Sequence, residues 1–393
     1  MTDLQQLHRR TVDLCGRLIQ TQSYSGNEQA IARLIADEMK ALGYDTVGFD
    51  ACGNVIGCLR GSRPGKRVLL DGHIDTVPVR EPERWSFDPF CGQVRGDRLC
   101  GRGASDMKGA VAAMVTGAAW FAKNRDFAGE IYVAGVVYEE LFEGVCAREV
   151  SKAVRPDYVI IGEASDLNLK IGQRGRAELV LETIGRPAHS SNPEKGVNAV
   201  KKMMTLLSTL EDFVPREQEG LGAGIQELTD IISDPYPGAS VVPQRCTATL
   251  DRRLLVGDTP ESVLSPIQAV IDRLGREDGD FTASVRLREE EKRCYTGQTI
   301  RAQRFFPAWL FSEEEPFVQR CLSALRELGG EPILTHYSFC TNGSHYAGEK
   351  GIPTVGYGPS PEALAHTIDE YVLMEQLTKS AEGYGKLIGA LLA

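Results

Sequence analysis

The sequence has little that would suit a nucleic-acid or membrane partner. Its 44 Lys and Arg residues are outnumbered by 54 Asp and Glu residues, which gives a net charge of −10, and no basic cluster is interleaved with aromatic residues. No stretch is apolar enough over enough residues to span a bilayer, and residues 1–8 lack the apolar core of a signal peptide. We therefore expect a cytoplasmic protein that binds neither nucleic acid nor a membrane.

Cysteine pairs at C-x-x-C spacing are also missing. The chain has ten cysteines, and no two of them stand at that spacing, which argues against a structural zinc knuckle. In a reducing compartment we expect these thiols to be mostly free and buried. The chain lacks internal repeats and low-complexity tracts, and its 393 residues suggest two or three globular domains.

The chain does contain an alternation of short apolar runs and helical patterns. Continuous apolar strands between helices are typical of a largely parallel sheet covered on both faces. Residues 25–28 have the Ser-x-x-Glu pattern of a capping box, which predicts a helix over 29–42 closed by Gly43. The other predicted elements are a hairpin at 46–50 and 54–59, strands at 67–70, 131–138, 158–161 and 354–357, and a helix at 108–123.

A different pattern interrupts this alternation in the middle of the chain. The predicted order is strand, helix, strand, strand, helix, strand, the split βαβ arrangement of ferredoxin-like domains. The strands are 177–184, 225–232, 246–250 and 281–287, and the helices are 197–210 and 260–274. We therefore predict an α/β metal-binding catalytic domain in two pieces, 1–173 and 299–393, with an inserted ferredoxin-like α+β lid and dimerisation domain at 174–298.

Two histidines and several carboxylates stand at or just beyond the ends of the predicted strands, where open α/β sheets place their sites. Nitrogen and oxygen ligands suit Zn²⁺, and a bridging carboxylate holds two ions close together. We predict two Zn²⁺ ions, and Co²⁺ or Mn²⁺ would fit the same ligands. The predicted ligands are His73, Asp106 and Glu163 for one ion, and His366, Glu140 and the second oxygen of Asp106 for the other.

Two more carboxylates lie beside these ligands. Asp75 comes two residues after His73 and is placed to accept the other imidazole N–H, which would fix the tautomer. Glu139 adjoins a ligand but is not one, so it can take the proton of a water and pass it to the leaving nitrogen. The pattern predicts amide hydrolysis by a metal-bridged hydroxide with Glu139 as the general base.

Five motifs, spread in order over essentially the whole chain, resemble the co-catalytic zinc hydrolase family of acetylornithine deacetylase, succinyl-diaminopimelate desuccinylase and the glutamate carboxypeptidases. They are LDGHIDTVP at 70–78, WSFDPF at 85–90, GRG at 101–103, DMKG at 106–109 and YEE at 138–140. Within the family, the chain looks most like the hydrolases linked to selenium metabolism. That narrower resemblance rests on GEASD at 162–166, PAHSSNP at 187–193 and TNGSHY at 341–346.

The resemblance implies a zinc-peptidase fold with a lid, and it implies further site residues. His189 matches the lid histidine that, in family dimers, reaches the partner's site and stabilises the oxyanion. Arg253 matches the lid arginine that binds the substrate carboxylate, and a guanidinium fork suits that contact. A glutamate at the position of Glu163 usually accompanies deacylase or carboxypeptidase activity. The implied substrate-binding residues in the glycine-containing loop are Asn342, Gly343 and Ser344.

Two positions depart from the desuccinylases of this family. Ser240 stands where those enzymes carry an Asn in the lid, and His345 stands where their glycine-rich loop carries an Asp. Both positions affect the acyl and side-chain pockets, so the substrates of the named enzymes do not transfer directly. His345 fits pocket lining and plain loop surface equally well.

Together, the motifs and ligands predict an enzyme, a homodimer joined through the lid, that removes an N-acyl or N-carbamoyl group from a small amino acid. The alternative is a dipeptidase or carboxypeptidase that uses the same dinuclear site on a peptide bond. A non-catalytic scaffold on this fold is disfavoured, because all five ligand positions and the base are filled.

Overall fold

The computed structural model describes residues 2–211 and 216–393. They form two compact units, the first comprising Met1–Gln173, Glu291–Arg301 and Trp309–Ala393, and the second comprising Arg174–Glu290 and Ala302–Ala308. The predicted lid, 174–298, begins at the same residue as the second unit, but it includes residues 291–298 of the first unit and omits residues 302–308 of the second. The difference arises because residues 291–301 pack with the first unit, where the Tyr295 hydroxyl donates a hydrogen bond to the Gly53 carbonyl.

The described residues contain eight α-helices and twenty-one strands, together with short helical turns. The helices are α1 Asp3–Gln20, α2 Gln29–Ala41, α3 Gly109–Phe121, α4 Ala147–Val154, α5 Ala199–Leu210, α6 Pro260–Glu277, α7 Pro316–Arg326 and α8 Met374–Leu392. The strands are β1 Thr46–Phe49, β2 Val55–Arg60, β3 Arg63–His73, β4 Gln93–Arg95, β5 Arg98–Cys100, β6 Ala128–Val136, β7 Tyr158–Ile161, β8 Leu169–Gln173, β9 Gly175–Ile184, β10 Glu217–Gln218, β11 Gly222–Ala223, β12 Ile225–Asp234, β13 Arg245–Leu254, β14 Thr282–Leu287, β15 Glu289–Arg293, β16 Thr299–Gln303, β17 Phe305–Phe306, β18 Trp309–Leu310, β19 Leu334–Tyr337, β20 Thr354–Gly356 and β21 Tyr371–Leu373.

The first unit is built on a nine-stranded sheet with the order β1-β2-β6-β3-β7-β20-β8-β18, in which β19 also pairs with β8. Its four central strands, β6, β3, β7 and β20, are parallel to one another. Val68, Leu69 and Leu70 are consecutive residues of β3 with no exposed surface, so both faces of the sheet are covered there. The predicted α/β class is confirmed, and the parallel strands are flanked by antiparallel pairs at β1–β2, β2–β6 and β18–β8.

The second unit contains the predicted ferredoxin-like pattern. Its antiparallel sheet has the order β12-β13-β9-β14, and α5 and α6 follow β9 and β13 in the chain. The core combines alternate residues of the strands with apolar residues of both helices, including Leu179, Leu250, Leu206 and Ile267. Strand β12 is an edge of this sheet, and both sides of it are largely exposed.

The predicted capping box at residues 25–28 does not form. The α2 helix begins at Gln29, and Glu28 at its N-cap makes no side-chain capping bond. Instead, the Ser25 hydroxyl donates to Oδ2 of Asp75 at 2.6 Å, and Oε1 of Glu28 accepts the Gly26 and Tyr138 amides. These residues therefore stabilise the loops beside the site rather than the end of the helix.

Among the described residues, we find no helix that combines the length and apolar character needed to cross a membrane.

Candidate metal centre

The parallel strands of the first unit bring the predicted ligands together. His73 is the last residue of β3, Glu139 and Glu140 follow β6, and Glu163 follows β7. Asp106 lies in the turn Ala104–Lys108 just before α3, where its own backbone is extended, and His366 lies in the loop after β20. Because the carboxyl ends of neighbouring parallel strands meet at one edge of the sheet, residues distant in sequence converge on one place.

Two groups of candidate ligands share Asp106. In the first group, Nε2 of His73 lies 2.8 Å from Oδ1 of Asp106 and 3.6 Å from Oε1 of Glu163. In the second group, Nε2 of His366 lies 3.0 Å from Oδ2 of Asp106 and 3.0 Å from Oε2 of Glu140. The two oxygens of one carboxylate therefore face two imidazoles, which is the arrangement of a bridging ligand between two ions.

The charges in the cluster also fit cations. Burial raises the pKa of Glu139 and Glu163, and the negative charge of neighbouring carboxylates adds to that effect. Burial opposes protonation of His73, but Glu163 and Asp106 outweigh it and raise its pKa above the ordinary value. Bound cations would offset the repulsion among these buried carboxylates. The nitrogen and oxygen atoms of the cluster are ligands that suit Zn²⁺, Co²⁺ or Mn²⁺.

Asp75 organises the loop that carries the two glutamates. Its Oδ1 accepts the Glu139 amide at 3.1 Å, and its Oδ2 accepts the Glu140 amide at 3.2 Å. The N–H at Nδ1 of His73 is donated to the backbone carbonyl of Asp75 at 2.8 Å, while the carboxylate Oδ1 lies 3.7 Å away. The backbone carbonyl of Asp75 thus fixes the tautomer of His73. The sequence pattern had indicated the carboxylate of Asp75 instead, but that carboxylate accepts the amides of Glu139 and Glu140.

Glu139 is a buried carboxylate beside the two ligand groups. It is 6% exposed and belongs to neither ligand group. Within residues 2–211 and 216–393, its Oε1 is buried and has no hydrogen-bond partner. A buried, unpaired carboxylate oxygen beside a ligand cluster is placed to accept a proton from water or substrate.

Two positioning residues were missed by the sequence reasoning. The carboxylate of Glu370 accepts hydrogen bonds from Nη1 of Arg102 at 2.5 Å and from the backbone amides of Ser105 and Asp106. It therefore holds the turn that contains Asp106. Burial raises the pKa of Glu370 to about 7. The only signal in the sequence is that this acidic residue comes four positions after His366, and that spacing alone predicts nothing.

Asp71 is the second of these positioning residues. Its two carboxylate oxygens accept Nδ2 of Asn342 at 2.8 Å and the hydroxyl of Tyr346 at 2.7 Å. Burial raises its pKa to about 6. Asp71 lies within the LDGHIDTVP motif, so the motif contained it without indicating its task, which is to join β3 to the loop at 341–346.

The loop with the predicted substrate-binding residues is buried. Oδ1 of Asn342 accepts the amide of Gly144, so this side chain also ties the loop after Glu140. Ser344 is 1% exposed, and a Cβ on Gly343 would lie 2.7 Å from Nε1 of Trp309. His345 is buried as well, with Nδ1 at 2.6 Å from Oε2 of Glu349, so it is not part of a plain loop surface.

His189 and Arg253 lie in the second unit. Nδ1 of the exposed His189 accepts the Ser191 amide at 3.1 Å, which assigns the imidazole proton to Nε2 when the ring is neutral. Arg253 lies on β13, and its Nε is 3.1 Å from Oδ1 of Asp251. Both residues carry the donors that their predicted tasks need, and those tasks stay predictions.

Two imidazoles, a shared carboxylate and a buried glutamate at the carboxyl edge of a parallel sheet are the features of a metallohydrolase. The comparison with known families is more specific: the chain belongs to Peptidase family M20/M25/M40, whose profile matches residues 69–390. It is a hydrolase that acts on C–N bonds.

Individual relatives match over nearly the whole chain. The protein YgeY of Escherichia coli strain K12 is 32% identical over 374 residues, covering 93% of this chain and 90% of YgeY. Succinyl-diaminopimelate desuccinylase 2 of Ruegeria sp. is 26% identical over 391 residues, covering 96% and 94%. The structure of YxeP from Bacillus subtilis, described as a dinuclear metal-binding peptidase, has a TM-score of 0.74 at 14% identity, covering 99% of each chain. This last likeness shows the fold.

Proposed function

We propose that the chain removes the N-acyl or N-carbamoyl group from an amino acid by hydrolysing the amide. The observation that carries the proposal has two parts. Asp106 is shared by two histidine-carboxylate groups, and Glu139 beside them has a buried oxygen without a hydrogen-bond partner. The 26% identity to a desuccinylase and the glutamate at position 163 support a deacylase over an aminopeptidase. The free cysteines support the expected cytoplasmic location.

The residues present fit a pair of divalent metal ions. His73, Asp106 and Glu163 would hold one, and Asp106, Glu140 and His366 would hold the other, with Zn²⁺ the expected ion and Co²⁺ or Mn²⁺ the substitutes. When bound, such a pair lowers the pKa of a coordinated water and polarises the substrate carbonyl.

Side chains of the protein would transfer the proton and stabilise the negative charges of the oxyanion and of the substrate carboxylate. Glu139 accepts the proton of the attacking water and returns it to the leaving nitrogen, so the free amine departs neutral and the carboxylate is regenerated. Nε2–H of His189 donates to the oxyanion, and the guanidinium of Arg253 pairs with the substrate carboxylate. Asp75 and Asn342 keep the loop of Glu139 in place through the backbone bonds already described.

A mass-spectrometric screen tests the proposed reaction. The metal-loaded protein is incubated with N-acetyl, N-succinyl, N-formyl and N-carbamoyl amino acids and with dipeptides, and release of free amine is measured. We expect at least one N-acyl or N-carbamoyl amino acid to be hydrolysed with a higher kcat/KM than any dipeptide. Faster hydrolysis of the dipeptides would replace the deacylase proposal with the peptidase alternative.

Arg253→Ala should raise KM for a substrate that carries a carboxylate beside the amide. Each charge-assisted hydrogen bond of a bidentate contact contributes about 1.5–3 kcal/mol, and the loss of one such bond corresponds to roughly 10- to 150-fold in kcat/KM. Arg253→Lys should recover only part of the loss, because an ammonium group lacks the guanidinium fork. Steady-state kinetics on the acid and on its carboxamide measure the effect.

The carboxamide is the internal control for that prediction. It should be a poor substrate for the wild type and should lose almost nothing further in Arg253→Ala. Arg245→Ala, which removes an exposed arginine of the same strand, should leave KM unchanged. Equal hydrolysis of the acid and the carboxamide by the wild type would contradict carboxylate recognition.

We also propose that two chains form a homodimer through the second unit. Four apolar residues of the edge strand β12 are exposed, and an unpaired edge strand with exposed apolar side chains is suited to pairing with another chain. These residues are Ile225, Leu228, Ile231 and Ile232. In such a dimer, His189 would stabilise the oxyanion at the partner's site, as the family resemblance implies.

Ile232→Asp should weaken the dimer, because it places a charge on the proposed apolar interface. Light scattering should report twice the 43.0 kDa chain mass for the wild type and a monomer fraction for the variant. Ile333→Asp removes an isoleucine of the first unit that is even more exposed than Ile232, 61% against 50%, and should stay dimeric. A wild type that is monomeric and fully active would contradict both the dimer and the action of His189 across it.

A further inference from the structure

Three cysteines from distant segments of the first unit form a group that shares no residue with the two ligand groups already described. The sulfur atoms of Cys52, Cys146 and Cys294 all lie within 4.8 Å of one another. The three residues are only 2%, 1% and 3% exposed, and none is in a disulfide. The cluster contains no histidine or carboxylate, so its donors differ in kind from those of the Asp106 site.

Hydrogen bonds hold the backbone around each thiol. Oδ1 of Asp50 accepts the amide of Cys52 at 3.0 Å and fixes the turn between β1 and β2. Nδ2 of Asn54, from the end of that turn, donates to the Cys146 carbonyl at 3.0 Å. The amide of Cys294 donates to the Gln298 carbonyl at 2.8 Å, which closes a turn after β15.

The same network joins these segments to one another. The Tyr295 hydroxyl donates to the Gly53 carbonyl at 2.7 Å, so the residue after Cys294 is bonded to the residue after Cys52. Cys146 immediately precedes α4, whose N-terminal end favours negative charge on a nearby sulfur. The surrounding backbone hydrogen bonds therefore help to fix the positions of the three thiols.

We propose that Cys52, Cys146 and Cys294 form a second metal site, which binds one thiophilic d¹⁰ ion such as Zn²⁺ or Cu⁺ through three thiolates. Thiolate ligands select such ions over harder cations. With a Zn–S bond of about 2.3 Å, three sulfurs around one ion lie about 4 Å apart, within the observed limit. Binding replaces the thiol protons, which are released to solvent, and changes no oxidation state.

The site would stabilise the loop that carries the catalytic glutamates. The Tyr138 hydroxyl donates to the carbonyl of Arg293 at 2.9 Å, and Tyr138 immediately precedes Glu139. An ion held by Cys294 and Cys146 would therefore tie residues 291–301 to both ends of the segment that contains Glu139 and Glu140. Because the ion binds the folded chain, its removal should lower the melting temperature.

Cadmium titration of the full-length chain tests the proposal. The reduced, metal-stripped protein is titrated with Cd²⁺ under anaerobic conditions, and bound metal and the ultraviolet thiolate-to-cadmium charge-transfer band are measured together. We expect three equivalents of Cd²⁺ and a band that belongs to only one of them. Asp106→Ala should lose equivalents but keep the band, so the thiol site is tested independently of the proposed hydrolytic function.

Single substitutions identify the cysteines that give rise to the charge-transfer band. Cys52→Ala, Cys146→Ala and Cys294→Ala should each remove it and lower the stoichiometry by one. Cys321→Ala, which removes a buried thiol from α7, should keep the charge-transfer band and the Cd²⁺ stoichiometry of the wild type. If a cluster variant fails to fold, X-ray absorption of the zinc-loaded wild type decides the question, because the proposed site places sulfur next to zinc and the two groups that share Asp106 have only nitrogen and oxygen ligands.

Three results would overturn the proposal. The first is a wild type that fills its nitrogen and oxygen sites with Cd²⁺ but shows no thiolate band. The second is the absence of any zinc–sulfur scattering in the loaded wild type. The third is a disulfide between two of the three cysteines in protein isolated under conditions that block thiol exchange, because a disulfide would leave one thiol and no site.

Discussion

Glu139→Gln should lower kcat by about 10²- to 10⁴-fold, the range expected when a general base is removed. The amide of glutamine has nearly the same size as the carboxylate but cannot accept the proton of the attacking water. Glu139 belongs to neither ligand group, so the variant should keep the metal content of the wild type. Turnover of the best substrate and metal analysis of the same preparation measure the two quantities.

A matched variant separates the loss of a base from the loss of a buried carboxylate. Glu38 is also buried, and it pairs with Arg10 and Arg17 on α1 rather than with the ligand cluster. Glu38→Gln should therefore lower stability and leave kcat close to that of the wild type. A Glu139→Gln protein that holds both metals and turns over at a near-normal rate would remove Glu139 from the mechanism.

The fold was predictable wherever local patterns and burial agree. The apolar run at 67–70 lies inside β3, and the segment 158–161 matches β7. The inserted unit was predictable because the alternation of exposed and buried positions along β13 appears directly in the sequence. The hydroxyl of Ser25 was mispredicted as a helix cap, because a short polar side chain bonds to whichever partner the tertiary structure brings near, here Asp75.

The candidate ligand residues could be selected from the sequence, but the residues that hold them in place could not. His73, Asp106 and His366 each follow a strand or stand in a recognisable motif, and the sheet topology brings them together. The carboxylate of Glu370 becomes relevant only once the loop after His366 has folded back onto the turn of Asp106. The cluster of Cys52, Cys146 and Cys294 was equally hidden, because its members are too far apart in sequence for a spacing rule to find them.

Asp106→Ala should remove both metal ions from the hydrolytic site. One carboxylate oxygen of Asp106 faces His73 and the other faces His366, so the substitution takes one ligand from each group and removes the link between them. Turnover should fall at least as far as in Glu139→Gln, since neither the water nor the carbonyl would be activated. Metal analysis after dialysis, together with kcat, measures the effect, and added Zn²⁺ should not restore activity.

Asp71→Asn is the matched control for this variant. Asp71 is buried near the site and accepts bonds from Asn342 and Tyr346, but it belongs to neither ligand group. An asparagine has only one acceptor oxygen, so it cannot accept the bonds of both Asn342 and Tyr346, and the loss should lower the free energy of unfolding by about 1–3 kcal/mol. We expect this variant to be less stable and still to retain both ions. If Asp106→Ala kept two ions while Asp71→Asn lost them, the bridging assignment would be wrong and the metal would have to lie nearer β3 and the loop at 341–346.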